Sequence, residues 1–204
     1  MHTRIKICGI TRVEEAWAAA RAGADAIGLV FHPQSPRALD VDQAAAIADE
    51  LPPLVTLVGL FMDADAADVW RTLERVPLEM LQFHGREPET YCKVFGRRYI
   101  KALGMSGAQT MEAADWPGAA GLLVDSHAGE RAGGSGETFD WSRVPDCGGR
   151  PVILAGGLHP ENIAEAVRRV RPWGVDVSSG VESSPGHKDP ERIRKFVSEV
   201  RHVG

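Results

Sequence analysis

The stretch RIKICGITRVEEAWAAARAGADAIGLVF, residues 4–31, decides the fold class. Residues 4–8 form a short apolar run typical of a buried strand, residues 12–22 have helical periodicity, and residues 26–31 form a second apolar run. This order predicts a strand, a crossover helix and a parallel strand, which is the repeating unit of α/β proteins.

The same alternation continues to the end of the chain. Further strands are predicted at 56–61, 80–84, 99–102, 121–125, 152–155 and 175–178. Further helices are predicted at 41–50, 64–75, 87–95, 108–114, 160–171 and 190–200. The connection between residues 125 and 152 is rich in glycine and predicts at most a short turn near 141–144, so the sixth helix is expected to be abbreviated.

Eight strand–helix units in one chain favour a closed (βα)8 barrel over an open sheet. An open doubly wound sheet usually carries G-x-G-x-x-G after its first strand, and Cys8-Gly9-Ile10-Thr11 does not match that motif. No linker or low-complexity tract divides the chain. We therefore expect a compact α/β TIM barrel that forms a single domain over residues 1–204, near the lower size limit of that fold.

The composition excludes several classes of protein. The 204 residues carry a formal charge of −5, so the chain has no global attraction for nucleic acid or anionic membrane. The three cysteines show no C-x-x-C spacing and the histidines no H-E-x-x-H pattern, so neither a disulfide framework nor a zinc site is expected. We see neither a signal peptide nor a stretch of roughly 18 apolar residues, and therefore expect a cytoplasmic protein.

Polar residues collect on the inward side of several predicted strands, near their carboxyl ends. Side chains along a barrel strand alternate between the interior and the helix layer, and apolar residues such as Ile5 and Ile7 are expected to face the helices. The polar and thiol side chains expected inside are Lys6, Cys8, Gln82, His84, Lys101, Asp125, Asp176 and Ser178. Active sites of barrel enzymes lie at that end of the barrel.

Glycine-rich turns follow the seventh and eighth strands, where many barrels bind a phosphate. Gly156 and Gly157 lie in the first turn, and Ser179 and Gly180 lie in the second. Glycine lets backbone N–H groups approach an anion closely, and a short helix beginning near Ser179 would direct its positive end toward it. The alternative is that these glycines only form tight turns.

Cys8 ends the first predicted strand and Asp125 the sixth, so both belong to the same end of the barrel. A cysteine in a suitable environment serves as a general base, and a carboxylic acid in a partly desolvated pocket serves as a general acid. Together they suit an isomerisation that removes a carbon-bound proton and protonates an oxygen. The alternatives are a small core side chain for Cys8 and a helix cap or salt bridge for Asp125.

Four further features each have two interpretations. Arg37, after the second strand, either clamps a carboxylate in bidentate fashion or is solvated in its loop. His84 is either a hydrogen-bonding wall of the pocket or a satisfied buried histidine. The glycine-rich segment 133–136 is either a lid or a slack loop. Lys6 and Lys101 either form a Schiff base, as in aldolases, or pair with carboxylates inside the barrel.

A series of short motifs runs in order along nearly the whole chain. They are KICGIT at 6–11, GLVF at 28–31 with SPR at 35–37, QFHG at 82–85, VDS at 124–126, GGSG at 133–136 with FDW at 139–141, LAGGL at 154–158 with the proline at 160 and the asparagine at 162, the segment 174–182, and the pairs PG at 185–186 and KD at 188–189. In their joint order and spacing these motifs resemble those of the phosphoribosylanthranilate isomerase family of tryptophan biosynthesis, although no single motif is specific.

The resemblance implies an Amadori rearrangement that converts N-(5-phosphoribosyl)anthranilate into 1-(2-carboxyphenylamino)-1-deoxyribulose 5-phosphate. It implies that Asp125 is the general acid and Cys8 the general base. No metal or other cofactor is implied, because the substrate nitrogen serves as the electron sink. The expected partner is a phosphorylated small molecule rather than nucleic acid or a membrane, and the chain is expected to be a monomer or a homodimer.

The resemblance also implies a set of substrate-binding residues. Arg37 would hold the anthranilate carboxylate, and the two glycine-rich turns would hold the phosphate. The complete set expected is Arg37, His84, Gly156, Gly157, Asp176, Ser178, Ser179 and Gly180.

Other functions stay open at this point. One is a different phosphosugar barrel, either a lysine-dependent aldolase using Lys6 or Lys101 or the sugar isomerase of histidine biosynthesis. The second of these typically uses two aspartates, and Cys8 at one of those positions argues against it. A non-catalytic barrel that binds phosphosugars, or assembles as a scaffold in a larger complex, is the other possibility.

Overall fold

Eight parallel strands close into a barrel in the structure, a computed structural model that describes residues 2–104, 113–125, 141, 144 and 147–203. The strands are β1 Arg4–Cys8, β2 Ala26–Val30, β3 Thr56–Phe61, β4 Met80–Phe83, β5 Arg98–Gly104, β6 Gly121–Asp125, β7 Val152–Leu154 and β8 Gly174–Val177. Each strand pairs with the next, and β8 closes the barrel against β1 by pairing Lys6 with Asp176. The predicted (βα)8 barrel is confirmed.

Six α-helices surround the barrel within the described residues. They are α1 Val13–Ala22, α2 Val41–Asp49, α3 Ala66–Arg75, α4 Glu89–Lys93, α5 Ile163–Val170 and α6 Pro190–Val203. Local chemistry sets several of their ends: Gly23, with φ of 98°, terminates α1, and Asp40 with Gln43 forms a capping box on α2. Among these helices, none is long and apolar enough to cross a membrane.

Helix α4 is shorter than the predicted 87–95. Pro88 follows Glu87 and disfavours helical backbone at that residue, so the helix begins only at Glu89. Of the predicted helix 108–114, only the end is described, where Ala113–Asp115 forms a 3₁₀ turn. The predicted lid 133–136 lies outside the described residues, as do residues 142 and 143 of the predicted turn at 141–144.

Two apolar layers position the strands, and they confirm most of the predicted alternation. The layer between barrel and helices contains Ile5, Ile7, Leu81, Phe83, Leu122, Val175 and Val177 from the strands. The barrel interior contains a separate small cluster of Ile100, Ala102, Leu123 and Ala155. Polar residues that alternate along the strands with the residues of the layer between barrel and helices are therefore directed into the barrel.

Lys101 is the exception to the predicted inward set. It alternates with Ile100 and Ala102, which fill the interior, so its side chain lies on the helix side of β5. Its ammonium lies 3.0 Å from Glu87 Oε2 and 2.5 Å from the Gly85 carbonyl oxygen. The expectation that Lys101 points into the barrel was wrong, although it does pair with a carboxylate.

A hairpin that the strand pattern did not predict follows β8. Its strands are β9 Glu182–Ser184 and β10 His187–Lys188, and they pair antiparallel before α6 begins. Between them lies Pro185-Gly186, with Gly186 at φ of 80°. The hairpin lies at the same end of the barrel as the carboxyl ends of the strands, since it continues directly from β8.

Candidate active site

A pocket opens at the carboxyl ends of the strands, with an empty volume of about 720 Å³ that is partly open to solvent. It brings together nine of the ten site residues predicted from the sequence. These nine are Cys8, Arg37, His84, Asp125, Gly156, Gly157, Asp176, Ser178 and Ser179. The tenth, Gly180, does not line the pocket, but a side chain there would overlap the carbonyl oxygen of Leu158. Gly180 therefore allows the loops after β7 and β8 to approach each other.

Cys8, at the end of β1, lies beside a buried ion pair. Lys6 Nζ is 2.9 Å from Asp176 Oδ1, and both side chains are less than a tenth exposed. The register of β1 against β8 places these two residues opposite each other across the strands. Lys6 thus pairs with a carboxylate inside the barrel, as one of its two interpretations predicted.

The charges around Cys8 act on its ionisation in opposite directions. Burial raises the pKa of the Cys8 thiol above its ordinary value, and the Lys6 ammonium counteracts part of that shift. Burial alone would lower the pKa of Lys6, but the Asp176 carboxylate and, after it, the Cys8 sulfur together outweigh burial, so the pKa of Lys6 is raised. Lys6 is therefore a permanent cation beside a cysteine that favours its neutral thiol form.

Asp125 and His84 form a second polar group in the pocket. His84 Nε2 lies 3.5 Å from Asp125 Oδ2, and both side chains are about nine-tenths buried. On the other side of the ring, the Gln82 amide nitrogen lies 3.2 Å from His84 Nδ1. A donor at Nδ1 leaves the proton of a neutral ring on Nε2, facing the carboxylate. His84 therefore lines the pocket next to Asp125, the residue predicted as the acid.

Arg37 is buried rather than solvated. Glu182 binds it in bidentate fashion, with Arg37 Nε and one terminal nitrogen each 2.7 Å from a Glu182 carboxylate oxygen. Lys188 Nζ lies 2.7 Å from the same carboxylate and also donates to Ser178. Burial opposes ionisation of Glu182, but these two cations outweigh burial and lower its pKa. The solvated interpretation of Arg37 was wrong, because Glu182 fixes the guanidinium at the edge of the pocket.

Sequence reasoning did not identify Glu182 as the partner of Arg37, nor Lys188 as the second cation that binds Glu182. Glu182 is 145 residues from Arg37 in the chain, and no local pattern indicates such a contact. One signal was available: Pro185-Gly186 is a turn dipeptide, and it predicts a hairpin that brings its two flanks together.

The glycine-rich turns after β7 and β8 differ in part from the expectation. Gly156 and Gly157 have φ values of 82° and 63°, a backbone conformation that favours glycine. The short helix expected near Ser179 is a single 3₁₀ turn, Ser179–Val181. Three residues do not build a helix dipole, so an anion here would depend on individual backbone N–H groups.

Comparison with known proteins agrees with this geometry. The family model "N-(5'phosphoribosyl)anthranilate (PRA) isomerase" matches residues 5–199. An N-(5'-phosphoribosyl)anthranilate isomerase of Acidithiobacillus ferrooxidans is 57% identical over 200 residues, covering 97% of each chain. One from Pseudomonas aeruginosa is 54% identical over 200 residues, covering 97% of this chain and 95% of the relative.

Solved structures give the same result. The phosphoribosyl anthranilate isomerase of Thermus thermophilus matches with a TM-score of 0.89 and 40% identity, covering 99% of this chain and all of the other. A phosphoribosyl anthranilate isomerase in complex with reduced 1-(o-carboxyphenylamino)-1-deoxyribulose 5-phosphate matches with a TM-score of 0.86 and 38% identity, covering 98% and 99%. Monomers generated from the dimeric enzyme of Thermotoga maritima match with a TM-score of 0.83 and 35% identity, covering 98% and 99%. This chain belongs to the N-(5'-phosphoribosyl)anthranilate isomerase family.

Proposed function

We propose that this pocket catalyses the Amadori rearrangement of N-(5-phosphoribosyl)anthranilate, with Cys8 as general base and Asp125 as general acid. As a member of its family, the protein is an isomerase of tryptophan biosynthesis. The observation that carries the residue roles is that Cys8 on β1 and Asp125 on β6 line one pocket. They are a thiol and a carboxyl group on well-separated strands, so they can serve different atoms of one substrate.

The reaction needs two proton transfers that these residues supply. Asp125 protonates the ribose ring oxygen, the bond from that oxygen to C1 breaks, and the anthranilate nitrogen takes up the positive charge as a protonated Schiff base. Cys8 as thiolate then removes the proton from C2, and the electron pair moves to form an enolamine. Tautomerisation moves a proton from the C2 hydroxyl oxygen to C1 and gives the ketone. The substrate nitrogen is the electron sink throughout.

The other pocket residues bind and orient the substrate. Arg37 holds the anthranilate carboxylate as a fixed cation, since Glu182 already restrains its guanidinium. Gly156, Gly157 and Ser179 hold the phosphate through their loops, and Gly180 allows these loops to meet. The relative with a bound phosphorylated compound supports this substrate class. His84, Asp176 and Ser178 complete the set of residues proposed to line the bound substrate.

We extend the proposal to the setting of the enzyme. The whole chain, residues 1–204, is proposed to act as one catalytic domain in the cytoplasm. A relative described as dimeric supports a homodimer over a monomer. Light scattering on the purified protein decides between the two, with the mass of a single chain contradicting the homodimer.

The test is a fluorescence assay that follows consumption of freshly generated phosphoribosylanthranilate. Cys8→Ala and Asp125→Asn should each lose most of the turnover, because each removes one proton transfer. Cys92→Ala is the matched control and should retain turnover, because Cys92 is a buried cysteine of α4 outside the pocket. Turnover near the wild-type value in either pocket variant would overturn the assignment. Borohydride with substrate should give no lysine adduct, since only an aldolase forms one.

A further inference from the structure

We infer that Lys6 is a positioning residue for the general base: its ammonium, held in place by Asp176, supplies the positive charge that stabilises the Cys8 thiolate in a buried site. This inference rests on the proposed function, in which Cys8 accepts a proton. It assigns a task to a buried lysine that neither the acid–base pair nor the substrate-binding set uses.

The strand geometry places Lys6 next to Cys8. The two residues are separated by one position on β1, so both side chains lie on the inner face of the barrel. Gly28 on the adjacent β2 leaves the space that they share. A methyl group placed on Gly28 would lie 2.7 Å from Cys8 Sγ and 3.0 Å from Lys6 Nζ. The sulfur and the ammonium are therefore both next to the space that Gly28 leaves open.

Asp176 holds this ammonium from the other side. Its carboxylate lies 2.9 Å from Lys6 Nζ, and the pairing of β1 with β8 sets that distance through rigid backbone. An unpaired buried ammonium would readily lose its proton, since desolvation disfavours the charged form. Asp176 therefore keeps Lys6 charged, but it also places a negative charge near the Cys8 sulfur.

The charges near Cys8 identify Lys6 as the cation that matters for its ionisation. Lys6, Asp176 and Lys188 act on the thiol, and burial is the largest influence. Lys188 acts more weakly, and its ammonium is already bound by Glu182 at 2.7 Å. The remaining charged or titratable groups lining the pocket are His32, Arg37, His84 and Asp125. Lys6 is therefore the main charge that offsets burial of a thiolate.

A purely structural ion pair makes a different prediction from a pair that tunes Cys8. If the pair only holds the barrel together, Lys6→Met and Asp176→Asn both reduce stability and leave the pKa of Cys8 unchanged. If Lys6 stabilises the thiolate, both substitutions raise the pKa of Cys8, because Lys6→Met removes the ammonium and Asp176→Asn removes the carboxylate that keeps the ammonium charged.

The experiment measures the rate of alkylation by iodoacetamide against pH in the full-length protein, read by mass spectrometry on the peptide containing Cys8. Lys6→Met should slow alkylation near neutral pH by about tenfold or more, because the thiolate fraction falls tenfold for each unit by which the pKa rises. Asp176→Asn should also slow it, but by less, because this substitution removes a negative charge near the sulfur as well. The acid limb of the pH profile of kcat/KM should move to higher pH in Lys6→Met.

A double variant covers the case in which Lys6→Met fails to fold with Asp176 left unpaired. Lys6→Met/Asp176→Asn contains no isolated buried charge and differs from Asp176→Asn only at Lys6. It should be alkylated more slowly than the wild-type protein, because Lys6 acts on Cys8 more strongly than Asp176 does. A wild-type alkylation rate in folded Lys6→Met, or in the double variant, would overturn the inference. The proposed function fails separately, if Cys8→Ala retains turnover.

Discussion

Replacing Lys101 by methionine should strongly destabilise the protein, because it leaves a buried charge without its partner. The Lys101 side chain is fully buried and Glu87 is 2% exposed, with Nζ 3.0 Å from Oε2. The ammonium also donates to the carbonyl oxygens of Gly85 at 2.5 Å and Phe83 at 3.3 Å. Methionine preserves most of the volume and none of these contacts. Breaking a buried pair in this way typically costs about 3–5 kcal/mol of the free energy of unfolding.

Urea denaturation followed by circular dichroism measures this cost, and a double-mutant cycle separates charge from packing. Glu87→Gln removes the carboxylate charge. Lys101→Met/Glu87→Gln should therefore be more stable than Lys101→Met alone, because the isolated charge is gone. Arg71→Met is the matched control: Arg71 pairs with Asp68 at 2.8 Å, but both side chains are more than half exposed. That substitution should cost no more than about 1 kcal/mol.

A cost for Lys101→Met as small as that of Arg71→Met would refute the reasoning about the buried pair. The same variant also tests the position of Lys101 relative to the active site. Because its side chain lies on the helix side of β5, the folded variant should retain turnover. Loss of turnover in a fully folded protein would contradict this placement and favour the lysine-dependent aldolase that the sequence left open.

Three more predictions concern the edge of the pocket. Gly180→Ala should lower kcat/KM by about tenfold or more, because its methyl group overlaps the Leu158 carbonyl oxygen and separates the two loops; wild-type kinetics would show that the close approach is unimportant. Arg37→Ala should chiefly raise KM in steady-state kinetics, and an unchanged KM would remove Arg37 from the substrate site. Arg37 and Lys188 outweigh burial and lower the pKa of Glu182. The Glu182 carboxylate therefore stabilises the folded protein above its unfolded-state pKa of about 4.3, and this stabilisation is lost as the pH falls through its lower folded-state pKa. The loss of Tm between about pH 6 and pH 3 should therefore be shallower in Glu182→Gln, and equal slopes would contradict this.

The barrel and the location of its pocket could be predicted because they depend on periodicity. Alternation on β1 and β8 is strict, with Ile5, Ile7 and Val175 in the outer layer, so the inward position of their polar neighbours follows. Strand β5 contains apolar residues on both faces, so alternation carried no information about Lys101. Its direction could be known only from what fills the barrel interior.

The sequence by itself determined the order of strands and helices, the end of the barrel that holds polar residues, and the candidates Cys8 and Asp125 at that end. These features follow from local periods of two and 3.6 residues and from the direction of parallel strands. Only the tertiary structure decided which charges meet: Arg37 with Glu182, Lys6 with Asp176, and neither lysine of the barrel free for a Schiff base. Partners 145 and 170 residues apart are selected by strand register and loop path, and no local stretch of sequence encodes either.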